Sequence, residues 1–502
     1  KSLYARFIWC RLLIMFNNLK FLWLLKKGRY VHALAAIQDD CRFWQSKRIL
    51  AMYRLNMYWS LHNLTDTPPD WRCKLAIKIA KIACGDISLT PELLMEFKDE
   101  YTETHQKVEL AKTLASYSPE FSLSLLDNAD NCPLDLYTAL QLRIGLTQKA
   151  ISTLAQIDVS DIVYSPDILL LQNNAFRETA EISLNRLNEY YKYFGLSPVA
   201  LADNSSPLSP CNIITLVPYS VQTGPLVSIL MTTYNTGRRV ENAVISLLNQ
   251  TYRSFELIIV DDASTDDTLF RLQRLALKDT RIKIISLPQN VGTYAAKRIG
   301  LIQAKGEFVT CHDSDDWSHP EKLFRQISPL LLNHKLICSI SDWVRLQDNG
   351  IFYARAVYPL KRLNPSSLLF RRADVLQKAG VWDCVKTGAD SEFIARLKLI
   401  FGASSIHRIK LPLTLGSHRT DSLMNSPTTG YTSQGISPDR QKYWDSWSRW
   451  HIQALRNKGS LYIGNSDFTN KNRPFSAPDS ILVDTNAIKT ALQSAHVNFT
   501  SI

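Results

Sequence analysis

The sequence predicts an α/β domain built on a mostly parallel, Rossmann-like sheet, preceded by an all-α region of short helical hairpins. Three observations carry this. Between Leu226 and His312, short apolar runs alternate with helical stripes, the pattern of a parallel sheet covered on both faces. Before about residue 196 the apolar spacing is three and four instead, as in Leu75, Ile79, Ile82 and Leu110, Leu114. Between the two textures, Pro198, Pro207, Pro210, Pro218 and Pro225, with Asn204-Ser205-Ser206 and Gly224, read as a linker.

In chain order, residues 1–196 are expected to form a helical domain. Its breaks fall at Pro68-Pro69, Thr90-Pro91, Ser118-Pro119, Cys132-Pro133 and Ser165-Pro166. Lys27 to Leu34 resembles the start of a tetratricopeptide-type helix, although no period of about 34 repeats three times. Residues 197–225 form the linker and 226–425 the sheet domain. Residues 426–502 form an extension with one aromatic helix around Tyr443, Trp444, Trp447 and Trp450. Within the sheet domain, strands are expected at Leu226–Thr232, Leu257–Val260, Ile282–Ile285 and Phe308–His312. Each ends in a polar cluster, respectively Thr233-Tyr234-Asn235, Asp261-Asp262-Ala263-Ser264, Asn290-Val291-Gly292-Thr293 and Asp313-Ser314-Asp315-Asp316-Trp317. The carboxyl ends of such strands are where open α/β sheets bind ligands.

Composition narrows the class. With 502 residues, 45% hydrophobic and 21% charged, the chain is globular and large enough for two or three domains. The net charge of +12 points to anionic partners, and residues 1–60 alone hold eleven Lys/Arg against Asp39 and Asp40. No zinc-finger spacing or RNA-binding aromatic motif accompanies that charge, so nucleic acid is not the expected partner. The same stretch is rich in Phe, Trp, Leu and Ile, which predicts contact with a membrane surface through residues 1–30. An ordinary packed amphipathic helix is the alternative there. The longest apolar run, Leu12–Leu25, is interrupted by Asn17, Asn18 and Lys20 and is too short to span a bilayer. Nine scattered cysteines, never Cys-x-x-Cys, favour reduced thiols and a cytoplasmic location, peripheral at the inner face of the plasma membrane.

The acidic cluster decides the chemistry. Asp313 and Asp315, one residue apart past a strand end, can reach a common Mn²⁺ or Mg²⁺, hard ions that accept a few carboxylates plus phosphate oxygens. In isolation, Asp-x-Asp is equally a solvated turn. The whole set of motifs, however, resembles the family-2 inverting glycosyltransferases of the GT-A fold over about residues 226–423. Val227-Ser228-Ile229 with Thr233-Tyr234-Asn235 matches the family's opening. Ser246-Leu247-Leu248-Asn249-Gln250-Thr251-Tyr252, Glu256 to Asp266, Asn290 with Gly292, Lys305-Gly306-Glu307 and Asp313 to Trp317 follow in family order.

That resemblance implies a nucleotide-sugar donor, UDP-linked ahead of GDP- or dTDP-linked, and a glycan or lipid-linked glycan acceptor in bacterial capsule, lipopolysaccharide or other surface polysaccharide. It implies nucleotide binding by Thr233, Tyr234, Asp261 and Asp262. Lys297 stands where the family often has Arg and would meet the diphosphate without a bidentate fork. Asp313, Asp315 and, from a later His segment, His418 are the implied metal ligands. Gly380-Val381-Trp382-Asp383 and Thr387-Gly388-Ala389-Asp390-Ser391-Glu392 match the family's base segment, with Ala389 replacing its usual Glu. Asp390 is therefore the expected general base, with Glu392 as the alternative. Trp317 and Trp382 are acceptor-side candidates, core packing being the other reading of each. The alternative function is a catalytically degenerate scaffold whose helical domain binds a protein partner or self-associates.

Overall fold

The computed structural model describes residues 17–37, 44–66, 68–127, 132–216, 222–419, 422, 426, 429–432, 435–464 and 473–495. They fall into two compact units whose boundaries differ from those expected. One unit joins residues 1–89 to 423–463 and 469–482; the other joins 90–422 to 464–468 and 483–502.

The larger unit holds the sheet. Its strands in chain order are β3 (Val227–Thr233), β4 (Phe255–Asp261), β5 (Ile282–Ser286), β6 (Phe308–Cys311), β7 (Trp317–Ser318), β8 (Cys338–Leu346), β9 (Phe352–Tyr353), β10 (Arg362–Leu363), β11 (Leu369–Arg371) and β12 (Ile406–Ser417). They follow a short pair, β1 (Val199–Leu201) and β2 (Ile213–Thr215). The path is β5-β4-β3-β6-β11-β8-β12-β7, with β9 and β10 paired to β8. Strands β5, β4, β3 and β6 run parallel to one another, whereas β11 runs antiparallel between β6 and β8.

The alternation of side chains along β4 explains its two-sided burial. Leu257 and Ile259 enter one core with Val240, Val244, Leu247 and Leu272 of the helices Arg238–Leu248 and Thr268–Ala276. Val260 enters another with Ala295, Ala296 and Ile299 of the helix Thr293–Ile302. That second core is completed by Ile488, Ala491 and Leu492 of the helix Thr485–Ser494. The last helix of the chain thus belongs to the sheet unit, rather than to an extension beginning at residue 426.

Several motif residues serve the framework. The Ser228 hydroxyl donates to Glu256 and accepts from Gly306 N–H, while Glu256 also takes Lys305 N–H at 2.7 Å. A Cβ on Gly306 would lie 2.5 Å from Ser228 N, so only glycine fits. Gln250 holds the turn at β7 through Ser318 Oγ, His319 O and Leu323 N–H.

The helices from residue 91 to 193 are part of this same unit. Buried Asp167 accepts from the backbone N–H of Leu360 and Lys361 and from Tyr190 Oη. Asn174 brackets Phe352 through both its N–H and its C=O. The stretch expected as a linker is fastened as well: Asn188 pairs with both backbone groups of Val199, and Ser197 donates twice to Glu321.

In the smaller unit the aromatic helix, Pro438–Arg456, buries Tyr443, Trp447 and Trp450. Ile452 packs with Leu34, Ala51 and Met57, and Trp444 Nε1 donates to Leu55 O at 2.7 Å. The tetratricopeptide-like segment is the seven-residue helix Tyr30–Ala36 in this unit. Residues 17–26 are helical, with Phe21 and Leu24 buried and Leu19 and Trp23 exposed. Residues 1–16 of the expected membrane-contacting segment lie outside the described residues.

Candidate active site

On the nucleotide side, the two expected aspartates are in different states. Asp262, past the end of β4, spends both carboxylate oxygens on backbone N–H groups, Val291 at 2.7 Å and Gly292 at 2.8 Å. Burial pushes its carboxyl up to about 6 against those two bonds. It therefore fixes the loop before the helix Thr293–Ile302. Asp261, at the end of β4, accepts only from Ser264 N–H, and its buried Oδ1 has no hydrogen-bond partner. A donor from a ligand would satisfy that oxygen. The buried Thr233 hydroxyl is taken by Thr236 Oγ1 at 2.6 Å, whereas Tyr234 is 48% exposed with its ring available for stacking.

The Asp313–Trp317 turn is braced from several elements. Asp313 accepts from Ser366 Oγ at 2.8 Å, and Asp315 pairs with Arg419 Nε at 3.0 Å. Asp316 is buried and takes Ser417 N–H, so its carboxylate anchors the turn to β12. Burial raises the carboxyls of Asp315 and Asp316, and Asp313 raises both further. Behind the turn, His312 Nε2 meets Asp316 O and His312 Nδ1 meets Lys322 Nζ at 3.1 Å. Burial brings Lys322 down to about 8. Crowded carboxylates with raised pKa values suit a divalent cation, whose charge would relieve their repulsion. Asp313 and Asp315 supply hard oxygens of the right kind.

The third expected ligand lies apart from them. His418 stacks on Tyr353 with ring centroids 3.7 Å apart and 7° between planes. Burial, then Arg345 and Arg143, lowers its pKa to about 4. Among the described residues no three His, Cys, Asp or Glu side chains form a group able to hold a metal. His418 is thus a packed aromatic in the structure.

Asp390 begins the helix Ala389–Phe401, which Gly388 enters at φ +88°, a conformation that favours glycine. Its Oδ2 accepts from Tyr294 Oη at 3.0 Å and lies 3.6 Å from Lys297 Nζ. Burial raises the Asp390 carboxyl, Lys297 opposes that rise, and Asp313 adds to it. For Lys297, burial works against its charge but is outweighed by Asp390 with help from Asp313, so the ammonium is held above the ordinary lysine value. One buried cation thereby couples the base candidate to the acidic turn. Its position in place of Arg is filled by an ion pair with the carboxylate, not left as a vestige.

Glu392 is excluded as a free base by its own partner. Arg396 grips it with two hydrogen bonds, Nε to Oε1 at 2.7 Å and Nη2 to Oε2 at 3.0 Å, both residues being fully buried. Arg396 also donates to the carbonyls of Ala379 and Val381. The two tryptophans are core residues. Trp317 is 1% exposed and edge-on to His319, and Trp382 is 2% exposed between Phe370 and Phe393. Neither presents a face to a sugar. Sequence reasoning missed Tyr294, Ser366 and Arg419. Tyr294 lies three residues before Lys297, a helical spacing that could have flagged it, and Arg419 adjoins His418. Ser366 comes from a distant loop and carries no local signal.

In comparison with known proteins, residues 228–387 match Glycosyl transferase family 2. An uncharacterized glycosyltransferase of Haemophilus influenzae is 41% identical over 110 residues, 22% of this chain and 44% of that protein. The Escherichia coli protein named UDP-Glc:alpha-D-GlcNAc-diphosphoundecaprenol beta-1,3-glucosyltransferase WfgD is 38% identical over 109 residues, 22% of this chain and 42% of that protein. The putative teichuronic acid biosynthesis glycosyltransferase TuaG of Bacillus subtilis is 40% identical over 103 residues, 20% of this chain and 41% of that protein. The chain thus spans less than half the length of these curated relatives.

Proposed function

We propose that the chain is an inverting glycosyltransferase that moves a sugar from a nucleotide diphosphate, UDP in the first instance, to a hydroxyl of a growing bacterial surface glycan. The observation that carries this reading is Asp390, partly exposed, oriented by Tyr294 and Lys297 and within electrostatic reach of Asp313. Asp390 would take the acceptor hydroxyl proton as that oxygen bonds to the anomeric carbon and the bond to the nucleoside diphosphate breaks. Tyr294 fixes the carboxylate, and Lys297 favours its ionised form against the loss of solvent around it. Asp261 and Tyr234 would hold the nucleoside. Asp313 and Asp315 would hold Mn²⁺ or Mg²⁺, which when bound neutralises charge on the leaving diphosphate.

The printed names of WfgD and TuaG, one a UDP-glucose enzyme acting on a lipid-linked sugar, support the donor and acceptor class. Exposed Leu19 and Trp23, four residues apart on one helix and flanked by Lys20, Lys26 and Lys27, support peripheral contact with an anionic membrane. In the described residues no helix is long and apolar enough to cross one.

The test is incubation with UDP-sugars, Mn²⁺ and a lipid-linked acceptor, with the product's anomeric configuration read by NMR. A glycoside of configuration opposite to the donor is expected. Retention of configuration would refute the inverting role of Asp390. Donor binding absent from every nucleotide sugar would favour the scaffold instead.

A further inference from the structure

The smaller unit has a cavity of about 480 Å³ that no part of the transfer chemistry uses. One wall is a stripe on the helix Pro438–Arg456, formed by Lys442, Asp445, Ser446 and Arg449. That spacing places them along one face of the helix. Trp59 and the segment Ser476–Pro478 complete the lining.

The arrangement is built. Asp445 is 2% exposed and accepts from the Ser60 hydroxyl, which in turn accepts from Arg449 Nη2 at 2.8 Å. This ties the segment carrying Trp59 to the helix and holds the guanidinium in place. Lys442 Nζ sits 4.7 Å from the Trp59 ring centroid and pairs with Asp439 at 3.3 Å. Ser446 and Ser476 hydroxyls meet at 2.9 Å on the rim.

A partly buried indole, whose ring meets Lys442 Nζ and His62, two cations, two hydroxyls and one buried carboxylate make a mixed surface. Such a set suits a hydroxyl-rich ring bearing a negative group better than an apolar ligand or a bare anion. The ring would pack beside the indole, its hydroxyls would pair with the serines, and its charge would meet Lys442 and Arg449. The volume is within the range of small-ligand sites. We infer that this cavity is a binding site for an anionic saccharide, built from residues other than those of the transfer site.

The experiment is saturation-transfer NMR on the full chain, with methyl β-glucuronide as the probe and methyl β-glucoside and inorganic phosphate as comparators. Saturation of the glucuronide ring protons is expected, with affinity about tenfold lower in Trp59→Ala and in Lys442→Ala. Ser476→Phe fills the cavity from an exposed position, so it abolishes binding without disturbing the core. Absence of saturation would overturn the inference, as would undiminished binding in Ser476→Phe. Glucoside or phosphate bound as tightly as the glucuronide would also overturn it. The measurement uses no donor and is expected to be unchanged in Asp390→Asn, so it succeeds or fails independently of the transfer reading.

Discussion

At the scale of single residues, Asp390 is a partly exposed carboxylate held beside the buried ammonium of Lys297. Loss of solvent raises the Asp390 carboxyl above the ordinary carboxylate value, and Lys297 at 3.6 Å opposes that rise. A general base works only when deprotonated, so transfer should rise with pH through an inflection above the ordinary carboxylate range. Lys297→Met removes the opposing cation, and its acidic limb should move to higher pH with a lower maximal rate. A pH–rate profile on both proteins checks this, and an unmoved limb would dissociate Lys297 from the base. Asp315→Ala should lose turnover by about 10²-fold or more through loss of a cation ligand, and EDTA should do the same to the wild type. Full activity of Asp315→Ala in excess Mn²⁺ would remove Asp315 from the metal site.

At the scale of elements, the Glu392–Arg396 pair shows what the helix carrying Asp390 depends on. The guanidinium joins that helix to the carbonyls of Ala379 and Val381. Arg396→Met would leave Glu392 buried without its partner, and should cost about 3–5 kcal/mol in urea unfolding. Gly306→Ala forces Cβ against the Ser228 backbone and should cost about 1–3 kcal/mol. Strands β3 to β6 could be read from sequence because buried parallel strands are continuous apolar runs closed by turn residues. Their ends differ from expectation by one or two residues. The carboxylates at those ends were legible for the same reason. Side-chain direction was not. Trp317 and Trp382 have the composition of a sugar platform, but only tertiary packing turns them inward. His418 was likewise read as a ligand from its motif, while its ring is taken by Tyr353, contributed by another strand.

At the scale of the whole molecule, the two compact units are not consecutive segments of the chain. Proline content and the change of texture near residue 197 suggested a linker, yet hydrogen bonds from Asn188 and Glu321 fasten it. Such bonds join residues far apart in sequence and leave no local pattern. Asp167 acts the same way, receiving the backbone of residues 360 and 361. Asp167→Ala strands those buried N–H groups and should lower the stability of the sheet unit by about 2–3 kcal/mol. A fragment starting at residue 197 should fail to unfold cooperatively, because the helices it lacks are part of that unit.

The central claim is that Asp390 performs glycosyl transfer from a bound nucleotide sugar. Its most direct test is nucleotide release across a panel of nucleotide sugars with Mn²⁺ and acceptor, beside calorimetric donor binding, for wild type and Asp390→Asn. The account predicts release from one donor by the wild type, and donor binding within about twofold but release about 10³-fold slower in Asp390→Asn. Equal release by the two proteins would contradict it.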